Sequence, residues 1–316
     1  MNLMKTIRKS FSARLSLQVV MIASMVFGVV FSVLFFSSKR IVRQEAESHA
    51  GSELSGTVYQ IEDILHQVEA AAKNMEWLVR DRLGNPDSLY AVTRMMMRTN
   101  PHVIGSCVAF EPGFYAEKGE LFAPYSYLTE EGEVKDRNLG YAAYNYHAKE
   151  WYATPKRLDR NYWSEPYFDE GGGDRVMSTY SHVLRNGEGK MFGILTADIS
   201  LDHLSGLVNG IKPYPGSYTL MISRLGNYLV HPKPERILHE TIYTATSDMT
   251  DRSVTILGDA MIRGEEGMHE LQNDDTLSYV FYKPVEGTEW SVAVVCPYRD
   301  VFAPLDRLTL VVVSVF

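Results

Sequence analysis

From Leu15 to Ser38 the chain reads LSLQVVMIASMVFGVVFSVLFFSS, without a single charged residue. As a helix this run is about 36 Å long at 1.5 Å per residue. That crosses the roughly 30 Å hydrocarbon layer of a bilayer with some tilt. A cleaved signal peptide has an apolar region of about 7–15 residues and then a small-residue cleavage site. This run is longer and ends in FFSSKR, so it reads as an uncleaved anchor at 15–38. Lys5, Arg8, Lys9 and Arg14 precede it, and Lys39, Arg40 and Arg43 follow it. The positive-inside count favours a cytoplasmic segment 1–14 and an external folded region. Leu308 to Phe316, LTLVVVSVF, is apolar but too short to span. It is expected to begin a truncated second transmembrane helix over 301–316, although its β-branched residues also suit a buried strand.

Behind the anchor, Leu54, Val58, Ile61, Leu65, Val68, Ala72, Met75 and Val79 recur in steps of four and three. This is an a/d stripe on a long helix over 39–84. It ends near Leu83-Gly84-Asn85-Pro86, where glycine and proline stop helices. Two partners suit the stripe: the helix's own domain, or a second copy of the chain in a homodimer.

From about His102 the pattern changes to strands and turns. VIGSCVAF reads as a buried strand. RVMSTYSHVL and KMFGILTADIS flank a hairpin turn at Arg185-Asn186-Gly187-Glu188-Gly189. SYTLMIS and NYLVHP flank Arg224-Leu225-Gly226, and LSYVFYKPV and EWSVAVVCP flank Glu286-Gly287-Thr288. A helix is expected between the last two hairpins, over 247–263. The result is two consecutive strand-rich α+β units joined near 205–216. Cys107 and Cys296, the only cysteines, lie in apolar runs and read as two buried thiols.

Motifs for catalysis are scarce. Gly187-Glu188-Gly189-Lys190 lacks the rest of a P-loop, and no G-x-S-x-G occurs. The nine histidines are scattered, so no zinc site is expected. Asn273-Asp274-Asp275 reads as a solvated turn rather than a calcium loop. Asp169, Glu170 and Asp174 have no spacing specific to a metal. A net charge of −8 disfavours nucleic acid as a partner.

One stretch mixes residue types that usually separate: Lys149 to Gly173, KEWYATPKRLDRNYWSEPYFDEGGG. A small zwitterion needs a cation for its carboxylate, an anion for its ammonium, aromatic walls and hydroxyl or indole donors. Tyr144, Lys149, Trp151, Tyr152, Tyr167, Asp169 and Asp198 supply that set. From composition alone, a core that uses Trp and Tyr beside salt bridges is the favoured reading.

A resemblance changes that balance. Asn100-Pro101 with VIGSCVAFEP, then WYATPK, YWSEPYFD, GILTADISLDHL and SYTLMISRLGNYLVHP, is similar to the double Cache (dCache) family of bacterial extracytoplasmic sensors, from the long helix to about Val301. The resemblance implies an α+β fold. A long N-terminal helix precedes two PAS-like antiparallel-sheet subdomains, membrane-distal at 85–205 and membrane-proximal at 206–300, between transmembrane helices of the bacterial inner membrane. It implies a non-enzymatic sensor without a cofactor that binds a small polar ligand. Many amino-acid-binding members have a Tyr, then Arg-x-Trp-Tyr, Tyr-x-Asp and a later Asp. By position these correspond to Tyr144, to Trp151 and Tyr152, to Tyr167 and Asp169, and to Asp198. Lys149 stands where the motif has arginine, a point donor in place of a planar fork. An amino acid, an amine, another carboxylate or a purine-like compound all remain open as ligand. Glu170-Gly171-Gly172-Gly173 is expected to form a flexible edge of the pocket. MKTIRKSFSARLSL and WYATPKRLDRNYWSEPYFD also resemble sensors fused to cytoplasmic serine/threonine phosphatases, and histidine kinases and chemoreceptors use the same sensor. The rival readings are a ligand-free structural or dimerisation module and an extracytoplasmic hydrolase.

Overall fold

The computed structural model describes residues 11–141, 143–244, 252–273 and 276–315. Most of the expected cytoplasmic segment 1–14, the start of the helix expected at 247–263, and Asp274 and Asp275 lie outside them. Helix α1, Phe11–Asp81, is continuous. Its apolar part has a mean hydropathy of 2.7 and is the one described helix long and apolar enough to cross a membrane. Val20, Ile22 and Val29 are each about 60% exposed there, the reverse of a soluble core helix and the arrangement that lipid contact requires. The polar part of α1 behaves differently. Leu54, Val58, Ile61, Leu65, Val68, Ala72 and Val79 are buried within the single chain, and Met75 is half-buried. The heptad stripe therefore packs on its own domain, and it is not left free for a second copy. The helix ends before Gly84-Asn85-Pro86, where a short 3-10 turn, Pro86–Ser88, follows.

The unit Ala50–Pro297 is built around two antiparallel sheets. Helix α2, Leu89–Thr99, leads into β1, Val103–Phe110, then β2, Pro124–Leu128, and β3, Val134–Asn138. Helix α3, Glu150–Leu158, is followed by β4, Tyr162–Trp163, and β5, Tyr167–Phe168, then by the long hairpin of β6, Val176–Arg185, and β7, Met191–Ser200. The first sheet has the order β3-β2-β1-β7-β6-β4, with β5 also on β6. Helix α4, Leu201–Val208, joins it to the second sheet, made of β8, Tyr218–Ile222, and β9, Tyr228–Val230. After α5, Arg252–Ile262, come β10, Gly267–Asn273, β11, Thr276–Val285, and β12, Trp290–Pro297. Their order is β10-β11-β12-β8-β9.

Both sheets owe their centres to runs of β-branched and apolar residues. β12 is buried at every position and β7 at all but its first. One apolar cluster joins α5 to the second sheet through Leu257, Met261, Val280 and Val295. The other joins α3 and its approach to the first sheet through Tyr146, Trp151, Tyr152 and Ile194. Cys107 and Cys296 are free and buried, as their apolar settings suggest. The last element, α6, Tyr298–Val315, is helical, so the alternative of a terminal strand does not apply.

Candidate ligand-binding site

The hairpin β6–β7 sets the site. Its register places Thr179 opposite Asp198, and β1 places Gly105 opposite Asp198 on the other side. Asp198 thus sits in the middle of the sheet at 3% exposure. Glycine is needed at 105, because a Cβ there would lie 2.5 Å from both Asp198 Oδ2 and the Tyr125 hydroxyl. Thr179 donates to Asp198 Oδ1 at 2.8 Å. The Tyr167 hydroxyl is 2.7 Å from Thr179 Oγ1, so it donates in turn to the threonine. Tyr125 is buried, and its hydroxyl lacks a hydrogen-bond partner of good geometry.

The second carboxylate arrives on the loop after β5. Asp169, 3% exposed, accepts from Tyr144 at 2.5 Å and from the Gly173 amide at 2.7 Å. Gly171-Gly172-Gly173 wraps tightly around it. A Cβ on Gly172 would fall 1.9 Å from Asp169 Oδ2, which only a glycine avoids. Asp174 N–H donates to the Asp169 carbonyl at 2.9 Å, and Arg137 and Tyr141 both donate to the Gly171 carbonyl. The glycine run is a pinned clamp on a carboxylate rather than the flexible edge its composition suggests.

Helix α3 brings the remaining groups. Lys149 occupies its N-cap position, half-buried, with Nζ 4.7 Å from the centre of the Tyr144 ring. Trp151 is 3% exposed, its carbonyl accepts from Ser181 at 2.6 Å, and its ring stacks on Tyr146 at 6.1 Å. Tyr152 is turned elsewhere. Its hydroxyl donates to Glu111 Oε1 at 2.7 Å, and Lys156 holds the other oxygen of Glu111 at 2.6 Å. Of the seven residues expected from sequence, the structure gathers Tyr144, Lys149, Trp151, Tyr167, Asp169 and Asp198. It leaves Tyr152 as a packing residue whose polar end serves Glu111. Sequence reasoning missed Thr179 and Tyr125. Thr179 was not within reach of a simple count, because the pairing of Arg185 with Met191 at the turn extrapolates to Thr179 with Ala197, and a register shift between Leu184 and Arg185 moves it onto Asp198. Tyr125 arrives from β2, a strand with no sequence signal of its own.

The electrostatics are one-sided. Burial pushes the Asp198 carboxyl up from 3.8 to about 7, and the Asp169 charge adds to the shift. Burial also raises Asp169, against the opposing hydrogen bonds of Tyr144 and Gly173 and the Lys149 charge. Tyr125 and Tyr167 are likewise raised, first by burial and then by the two aspartates. Two carboxylates thus share one aromatic enclosure with a surplus of negative charge. Groups so arranged strongly favour an entering cation that can donate hydrogen bonds. No cluster of three or more metal-ligating side chains occurs among the described residues.

Residues 89–206 match the family model described as "Methyl-accepting chemotaxis protein-like, first PDC sensor domain". Methyl-accepting chemotaxis protein PscA of Pseudomonas syringae pv. tomato is 26% identical over 170 residues, which are 52% of this chain and 25% of that protein. The chain thus spans about a quarter of the length of such curated relatives. Among solved structures, the extracellular domain of the histidine kinase soHK1S-Z6 superposes with a TM-score of 0.70 at 23% identity, covering 84% of this chain and 99% of that one. The ligand-binding domain of the Pseudomonas aeruginosa amino acid chemoreceptor PctB, solved with L-Gln, gives 0.58 at 18% identity, covering 84% and 98%. At these identities the likeness shows the fold.

Proposed function

Residues 89–206 are a sensor domain of the PDC (Cache) class, and from that premise we propose that this chain detects a small amine or amino acid at the carboxylate pair of its first sheet. The observation that carries the reading is the joint burial of Asp169 and Asp198, each 3% exposed, inside one aromatic shell. An ammonium group between them offsets their repulsion and receives the acceptor capacity that Tyr144 and Thr179 leave unused. Lys149, beside Tyr144, then meets the carboxylate of a zwitterion as a single point donor. The PctB domain solved with L-Gln supports an amino acid as one candidate.

The anchor in α1 supports a receptor of the bacterial inner membrane with its sensor in the periplasm. The distal subdomain at 85–205 takes the ligand, and the proximal one at 206–300 and the helix at 301–316 pass the change inward. The output is a serine/threonine phosphatase by the resemblance of its N-terminal wording, or else a histidine kinase or chemoreceptor module. Ligand shifts the balance of states only by its differential affinity for them. A homodimer through α1 uses the face bearing Tyr59 and Trp77, which are 62% and 66% exposed, because the heptad stripe is already occupied.

The test is calorimetry on the full chain in maltoside micelles, titrated with amino acids, plain amines, nucleobases and carboxylates. Saturable binding of amine-bearing compounds that disappears in Asp198→Asn is the expected result. Silence across the whole set would instead favour a ligand-free structural module.

A further inference from the structure

A cavity of about 430 Å³ opens elsewhere in the unit, between the two sheets and α1. That volume is within the range of small-molecule sites. Glu69 of α1, Trp163 of β4, Tyr180 of β6, Arg224 from the β8–β9 loop and Glu289 from the β11–β12 turn all line it. It shares no lining residue with the Asp169–Asp198 site.

Its charge balance is uneven. Arg224 is fully engaged: Nε lies 2.9 Å from Glu165 Oε1, Nη1 lies 3.2 Å from Glu289 Oε2, and Nη2 donates to the Trp163 carbonyl at 2.7 Å. One guanidinium therefore faces two carboxylates. Glu69 adds a third. It is half-buried, and its Oε1 accepts from the Trp163 indole at 2.8 Å, a neutral donor that leaves the charge uncompensated. Glu69 has no ion pair among the described residues. Arg160, the other cation on the lining, and Glu289 are both exposed and screened by solvent, so the half-buried Glu69 carries the surplus.

The walls suit the missing charge. Trp163 and Tyr180, 5% and 6% exposed, have ring centres 5.2 Å apart and inclined at 43°. A cation in front of such rings is attracted by their quadrupoles. The cavity already contains one such contact, with the Arg224 guanidinium 4.4 Å from the centre of the Tyr162 ring.

We propose that this cavity is a second binding site, for a small organic cation, held by Glu69 and Glu289 against Trp163 and Tyr180. Because α1 and both sheets supply its walls, an occupant clamps the three together.

Choline is the probe, a cation without N–H donors, titrated calorimetrically into the full chain in maltoside micelles free of choline lipids. Glu69→Gln keeps an acceptor for the Trp163 indole but removes the charge. It should weaken choline by about tenfold or more, a loss in the range of a desolvated cation–π and ion-pair contact. Glu289→Gln, at a half-exposed turn position, should weaken it in the same direction. Asp198→Asn should leave choline binding unchanged while abolishing the amine response of the first site, which keeps the two proposals separable. Arg160→Gln should leave it equal or stronger. The proposal is overturned by absence of saturable choline binding in the wild-type chain, by affinity unchanged from wild type in both glutamate variants, by loss in Asp198→Asn alone, or by loss in Arg160→Gln, which would mark an anion site.

Discussion

Asp198 is the residue on which most of the site's chemistry turns. Its carboxyl is raised from 3.8 to about 7, by burial first and the Asp169 charge second. In the unfolded chain it ionises near its ordinary value, so folding takes up a proton between about pH 4 and 7. The stabilisation this gives is complete below about pH 4 and is lost as pH rises through about 7. Thermal denaturation of the ligand-free chain should therefore show a falling contribution over that window, and Asp198→Asn should flatten it. A bound ammonium favours the ionised form, so ligand affinity should decline as pH drops below about 7, which calorimetry at several pH values will show. Lys149→Ala should weaken an amino acid more than the matching plain amine. Equal losses would remove its assignment to the carboxylate. Tyr152→Phe separates packing from recognition. It removes only the hydrogen bond to Glu111, so it should cost about 1 kcal/mol of stability and leave ligand affinity unchanged.

At the scale of elements, the turn over Gly171-Gly172-Gly173 behaves as part of the site. Gly172→Ala forces the clamp off Asp169, since its Cβ would meet Oδ2 at 1.9 Å. Overpacking of this kind costs about 1–3 kcal/mol, and a chemical denaturation series with parallel ligand titration should show both stability and affinity falling. The elements that sequence reveals are those that carry a period. β6, β7, β11 and β12 are long and centrally buried, and the β6–β7 turn at Asn186-Gly187-Glu188-Gly189 carries a glycine at φ 81°. The stripe on α1 was equally plain, but its partner was not, because a/d spacing is the same whether a helix packs in cis or in a dimer. β3, VKDRN, is an edge strand with three exposed positions out of five, so no apolar alternation marks it. β4 and β5 have two residues each, too few for any pattern. The residues of the proposed site stand out in the sequence as an inventory of charge and aromatic surface. Which way Tyr152 turns does not, since only the fold places Glu111, 41 residues earlier in the chain, beside it.

Across the whole Ala50–Pro297 unit, α1 is bonded to both sheets. Glu76 Oε2 lies 2.9 Å from His182 Nε2 on β6, and Glu62 Oε1 accepts from the Glu286 amide at the β11–β12 turn at 2.8 Å. Hydrogen exchange in the full chain should slow along 50–81 when ligand binds. Glu76→Ala should reduce that protection while affinity at the Asp169–Asp198 site stays the same; an unchanged exchange pattern would deny α1 a part in transmission. Following such movements with attached probes is simplified by the two native cysteines. Cys107 is raised well above its ordinary value by complete burial, and Cys296 is raised to about 11. Neither presents an appreciable thiolate near neutral pH. The unaltered chain is therefore already a silent background for maleimide labelling, and a single cysteine introduced at Trp77 or Tyr59 would carry a spin or fluorescent label alone.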